Sequence, residues 1–217
     1  MLNLETTLTE VEDVSVHASL DQIPVMGGLD DSPRGRVLRA AAHLFRHQGY
    51  ERTTVRDLAR LVGIQSGSLF HHFESKEAIL VAVMEEAIRY NFSRIQDALA
   101  RAQTPEQRLR ALVFGELESI LGPTGEAMAV LVYEWNALSP SSQQRVLKLR
   151  DEYEACWLGV LEELNKTGSI AHPPFFWRRL LSGAIAWTSN WYRPGRSLTL
   201  QGLTDMVMAM AVPKQDC

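Results

Sequence analysis

The sequence predicts an all-α protein, a three-helix head followed by a larger helical domain, with about nine helices in all. Three observations carry that prediction. Apolar residues recur at spacings of three and four through most of the chain. Ser and Thr caps stand where those patterns begin, twice followed at once by Pro, at Ser32-Pro33 and Thr104-Pro105. No stretch shows the alternation of a strand, and no repeat is evident.

Residues 1–31 hold seven acids and neither Lys nor Arg, with a Met26-Gly27-Gly28 break, and are expected to form an acidic, disordered arm with a short helical piece near Leu8 to Leu20. Ser32 caps the first helix, whose inner stripe is Val37, Leu38, Ala41, Leu44 and Phe45 and which stops at Gly49. Thr54 caps the second, with Asp57 three residues on reaching back to the cap. Val55, Leu58, Ala59 and Val62 share one face of it, and Gly63 supplies a left-handed stop. Ser66 is expected to cap a short third helix, Gly67 to Phe73, anchored by Leu69 and Phe73. That anchoring turns Gln65, Ser68, Phe70, His71 and His72 outward. A short helix with small, hydrogen-bonding residues at its start suits insertion into a DNA major groove.

Ser75 caps a fourth helix that runs on through Ile79, Leu80, Val83, Ala87, Tyr90, Ile95 and Leu99, too long to belong to the head alone. Further helices are expected at about 105–121, 125–138, 141–166, 173–192 and 199–211. The chain therefore divides into an arm (1–31), a helix-turn-helix head (32–78) and a helical ligand-binding and dimerisation domain (79–217).

A formal net charge of −4 looks unfavourable for binding a polyanion until its distribution is considered. Residues 32–78 carry eight bases against four acids, so positive charge is concentrated in the head. The two cysteines, Cys156 and Cys217, give neither a disulfide framework nor metal-ligand spacing. No N-terminal segment resembles a signal peptide, and no apolar run of about eighteen residues occurs, which points to the cytoplasm. There is no Gly-rich phosphate loop and no nucleophile elbow, so the chain is not expected to be an enzyme or to carry a cofactor. His71 and His72 are adjacent and point about 100° apart on a helix, so no metal site is expected there.

The string TTVRDLARLVGIQSGSLFHHFESK resembles the DNA-binding region of TetR-type transcriptional repressors. The matching positions include Thr53, Thr54, Leu58, Ala59, Gly63, Ile64, Gly67, Ser68, Leu69, His72, Phe73, Ser75, Lys76, Glu77 and Leu80. Gln65 departs from the usual small capping residue and Phe70 from the commoner Tyr, which removes a phenol hydroxyl from the phosphate contacts. The resemblance implies a homodimer that represses transcription from a palindromic double-stranded DNA operator and is released by a small-molecule effector. It also implies that Thr53, Thr54, Arg56 and Lys76 set the register on phosphates, while Gln65, Ser66, Gly67, Ser68, Phe70, His71 and His72 face the bases.

A second segment, from Arg178-Arg179 through Trp187 to Trp191-Tyr192-Arg193-Pro194-Gly195, looks like that of TetR-type regulators of fatty-acid and sterol catabolism, which respond to acyl-CoA thioesters. This resemblance implies that Trp187 and Trp191 meet the acyl chain and that Arg178, Arg179 and Arg193 meet CoA phosphates. Tyr133 and Trp135 form a second candidate lining beside Glu134. For the tryptophans, the competing expectation is core or dimer interface. Two other functional readings stay open: an efflux or detoxification repressor responding to aromatic or cationic compounds, and a helical small-molecule binding protein with no DNA role.

Overall fold

The computed structural model describes residues 20–23 and 25–212, and these contain nine α-helices, two short 3-10 helices and no strand. The expected helical piece near Leu8 lies outside the described residues. Helices α1 (Pro33–Gln48), α2 (Val55–Val62) and α3 (Ser66–Leu69) form the head, and α4 (Lys76–Arg101) leaves it. At 26 residues, α4 is about 39 Å long, enough to run the length of a small domain. Helices α5 (Pro105–Leu121), α6 (Gly125–Tyr133), α7 (Pro140–Lys166), α8 (Pro174–Trp191) and α9 (Leu200–Ala211) complete the fold.

The caps explain the boundaries. Ser32, Ser75, Thr104, Ser139 and Thr199 each accept a hydrogen bond from a free N–H in the first turn of the helix they precede. Thr54 and Asp57 make the reciprocal pair: Asp57 N–H donates to Thr54 Oγ1 at 3.2 Å and Thr54 N–H donates to Asp57 Oδ2 at 2.9 Å. Gly63 closes α2 in the left-handed conformation at φ 76°, ψ 31°, where a β-carbon would be strained.

Three expectations need correcting. Helix α3 begins at Ser66 itself, so Gln65 occupies the cap position and makes no side-chain cap bond. Its long side chain cannot fold back as a Ser or Asp does. Regular helix stops at Leu69, and Phe70 to His72 continue as turn rather than helix. The expected helix over 125–138 breaks at Glu134 and resumes as a 3-10 turn, Trp135–Ala137. Finally, the arm is packed from residue 20 onward where it is described: Leu20–Gln22 form a 3-10 turn, Ile23 is buried, and Met26 enters the head's core.

Two apolar cores lie along α4. The first gathers α1, α2, Leu69 and Phe73 around Ile79, Leu80, Val83, Met84 and Ala87 of α4, and takes in Ala127, Val130 and Leu131 of α6. The second surrounds Ile95 with Leu109, Leu112 and Leu117 of α5, Trp157 and Leu161 of α7, Leu181 and Ile185 of α8, and Leu203 and Val207 of α9. The head's core therefore does not end at residue 78. It continues into the first half of α4 and into α6, which makes the head and the rest of the molecule mechanically continuous. Among the described residues, no helix is long and apolar enough to cross a membrane.

Candidate nucleic-acid interface and effector site

Leu69, Phe73 and Thr53 are buried and pin the α2–α3 corner to the head. Gln65, Gly67, Phe70, His71 and His72 are exposed on the outer side of α3 and the turn that follows, and Ser66 and Ser68 are half-buried beside them. Phe70 is the informative member. It is 56% exposed, although the head has ample apolar core beside it. Arg56 on α2 is also exposed and flanks this surface.

Two residues expected at phosphates have inward roles instead. The Thr53 hydroxyl donates to the Gly49 carbonyl at 2.8 Å and is fully buried. Lys76 Nζ donates to the Tyr50 carbonyl at 2.9 Å and the Thr53 carbonyl at 3.1 Å, and lies 4.1 Å from the centre of the Tyr50 ring. Both side chains satisfy backbone groups left over where α1 ends and the chain turns into α2. Thr54 is exposed, with its hydroxyl shared with Asp57.

The residues implied for the effector are not brought together. Arg178 is buried: its Nε donates to Glu154 at 3.0 Å, its Nη2 lies 3.1 Å from Glu116, and its guanidinium stacks 4.2 Å from the Trp157 ring. Burial works against that charge, but Glu116, the Tyr153 hydroxyl and Glu154 around it raise its pKa above the ordinary arginine value. Its donors are thus committed to structure. Arg179 is exposed and stacks over Phe175, and Arg193 donates to the Tyr192 carbonyl at 2.9 Å. Trp187 is 66% exposed, and with Phe176, Leu180 and Trp191 it forms an outward stripe on α8, while the neighbouring stripe of Leu181, Ile185 and Thr188 faces the core. Tyr133 is exposed under Arg46 at 5.2 Å, and half-buried Trp135 packs against the head's core.

A concavity does exist elsewhere. An open cleft of about 320 Å³ lies between α4 and α5, lined by Asn91, Arg94, Ile95, Asp97, Ala98, Arg101, Ala111, Phe114, Gly115 and Glu118. Gly115 allows the two helices to approach there, since a β-carbon would lie 2.3 Å from Ile95 Cγ1. Arg94 bridges the cleft wall, 2.8 Å from Glu118 and donating to the Tyr90 hydroxyl at 3.1 Å. Sequence reasoning missed this cleft. The signals for it were a glycine in the middle of an amphipathic helix, at Gly115, and arginines at 94 and 101 on the α4 face that meets it.

Comparison with known proteins agrees with the fold and the motif. Residues 37–83 match the family described as bacterial regulatory proteins, tetR family, and residues 102–213 match the tetracyclin repressor-like C-terminal domain. The HTH-type transcriptional repressor KstR2 of Mycobacterium tuberculosis is 31% identical over 194 residues, 86% of this chain and 94% of that protein. Among solved structures, superantigen PfiT is 54% identical with a TM-score of 0.74, covering 86% of this chain and 98% of PfiT. The structure of the ketosteroid transcriptional regulator KstR2 of M. tuberculosis superposes with a TM-score of 0.76 at 28% identity, over 87% of this chain and 96% of that one. With both the helix-turn-helix head and the helical C-terminal domain accounted for, the chain belongs to the TetR family of transcriptional regulators and is not an enzyme.

Proposed function

We propose that the protein is a cytoplasmic, homodimeric transcriptional repressor released from its operator by an apolar small molecule of the acyl-CoA class. The observation that carries the mechanism is the position of the α4–α5 cleft, whose wall is the same helix that bears the head. Two heads in a dimer read major-groove faces about 34–36 Å apart. An effector releases DNA by binding more tightly to the conformation in which that spacing is wrong. The base-facing set is Gln65, Ser66, Gly67, Ser68, Phe70, His71 and His72, with Arg56 and Thr54 at the phosphate edge. The acyl group enters beside Phe114, Ile95 and Ala98, and Arg101 at the cleft's rim meets the anionic end of the effector. Sequence kinship to KstR2 over most of both chains supports a lipid-derived effector. In this reading 32–78 is the DNA-binding unit, the rest is effector and dimerisation domain, and Trp187 and Trp191 belong to the subunit interface.

A mobility-shift assay on DNA upstream of the gene, with a panel of acyl-CoA thioesters and their free acids, tests it. Release by thioesters alone supports the reading. DNA binding indifferent to the whole panel discards the effector class and keeps the repressor, and affinity that does not fall steeply with salt discards the repressor.

The 54% identity to superantigen PfiT favours a second reading, in which the chain shares that activity. A T-cell proliferation assay with purified protein and its Trp187→Glu variant decides it, and absence of proliferation removes it.

A further inference from the structure

The seam between α1 and α6 holds a side-chain cluster that neither the DNA surface nor the cleft uses. His43 and His47 stand four apart on α1 and so share a face, and Glu126 comes from the first turn of α6. One carboxylate oxygen, Glu126 Oε1, lies 3.0 Å from His43 Nδ1 and 3.0 Å from His47 Nε2. The two imidazole rings are 4.5 Å apart, centre to centre, and tilted by 48°. One nitrogen from each ring and a carboxylate oxygen all lie within 4.8 Å of one another.

We propose that His43, His47 and Glu126 form a binding site for a divalent transition-metal ion, zinc fitting best, that fastens the head to α6. Two imidazoles and one carboxylate are a donor set that zinc takes with water as the fourth ligand. Its bonds of about 2.0–2.2 Å set tetrahedral ligand atoms roughly 3.3 Å apart. Both His-to-Glu separations are already within a few tenths of an ångström of that spacing. Only the two nitrogens have to draw together, and His47, the most exposed of the three, can do so by a side-chain rotation. Calcium and magnesium want six or more oxygens, and copper(I) wants thiolate or thioether sulfur, so neither suits this set.

Of the three ligands, Glu126 also reaches a space that can hold water. Glu126 borders a small cavity of about 80 Å³, shared with Met26, Arg39, Ala42 and Gly122, with room for water. Arg39 on the cavity wall opposes a cation and holds the affinity below that of a closed cysteine-rich site. Because the ligands come from both sides of the seam, an ion here stabilises one placement of the head relative to α6.

The test uses the full chain, stripped with a chelator and titrated with Co²⁺ and then Zn²⁺. One Co²⁺ per chain is expected, with the intense visible absorption of a tetrahedral centre, displaced by Zn²⁺. Zinc at about one hundred times its Kd is expected to raise the thermal midpoint by roughly 5–10 °C. His47→Ala and Glu126→Gln are each expected to weaken binding at least tenfold and abolish the cobalt band, with helical circular dichroism retained. His71→Ala, on the distant DNA surface, is expected to leave both unchanged. The proposal is overturned if no ion binds, or if the band and affinity survive in the His47→Ala/Glu126→Gln double variant. These readouts involve neither operator nor effector, so they stand or fall apart from the repressor reading.

Discussion

Phe70 and Lys76 sit six residues apart and show how far side-chain roles can be read from position. Phe70 is apolar yet 56% exposed, on the surface that faces DNA in the repressor reading. In a major groove its ring finds thymine methyl groups, an apolar contact that contributes to discrimination. Phe70→Ala is therefore expected to weaken operator binding about tenfold, with the thermal midpoint unchanged, as a shift assay and a melting curve would report together. The family resemblance implies a phosphate contact for Lys76. Its ammonium is in fact held by the Tyr50 and Thr53 carbonyls, which the sequence cannot show to be within reach. Lys76→Met is expected to destabilise the fold by about 2 kcal/mol, because charged hydrogen bonds and a cation–π contact are lost together. The logarithmic salt slope of DNA binding should stay as it was; a slope reduced by about one phosphate would return Lys76 to the interface.

At the level of elements, the starts of α1, α2, α4 and α5 were legible because a cap is a local event, a Ser or Thr with an N–H three residues on and, for α1 and α5, a Pro, whereas α3, α6 and α8 begin without a side-chain cap. What local chemistry does not encode is which apolar stripe meets which neighbour. Leu180, Trp187 and Trp191 form as regular a stripe as Leu181, Ile185 and Thr188, yet only the second is core. The packing of Met26 was hidden for a related reason: Leu20, Ile23, Met26 and Leu29 recur every three residues, but among acids and across a Gly27-Gly28 break the stretch reads as an arm. One contact between elements carries its own pH signature. Glu77, in the first turn of α4, accepts from Ser139 N–H at 2.9 Å and Ser142 Oγ at 2.7 Å, clamping α4 to the start of α7. Hydrogen bonds from Ser139 and Ser142 hold its carboxyl below the ordinary value near 4.5. A pKa depressed by folding contributes stability above the ordinary value, and that stability is lost as pH falls through the folded value. Glu77→Gln is expected to cost about 1 kcal/mol at neutral pH and to unfold with a shallower acid dependence below about pH 4.5 than the parent. Equal acid slopes would show that folding does not depress the Glu77 pKa, and that the clamp carries no acid dependence of its own.

For the whole molecule, the outward stripes decide how two chains meet and hence how one head is spaced from the other. Phe176, Leu180, Trp187 and Trp191 on α8, with Met206 and Met210 on α9, are exposed in a single chain, more large apolar surface than a monomer usually leaves to water. Pairing α8 and α9 with their copies would bury it as a four-helix bundle around a two-fold axis. The bundle would fix the far ends of the two α4 helices, while the shared core of α1, α4 and α6 carries any displacement at the α4–α5 cleft to the heads. Trp187→Glu places a charge in the middle of that face without touching either core. Sedimentation is expected to show monomers, with helical content and thermal midpoint close to the parent's. Operator affinity should fall by more than about a hundredfold, because the second head then loses the effective concentration that linkage gives it. A variant that stays dimeric and still binds would move the interface off α8 and return Trp187 and Trp191 to the effector.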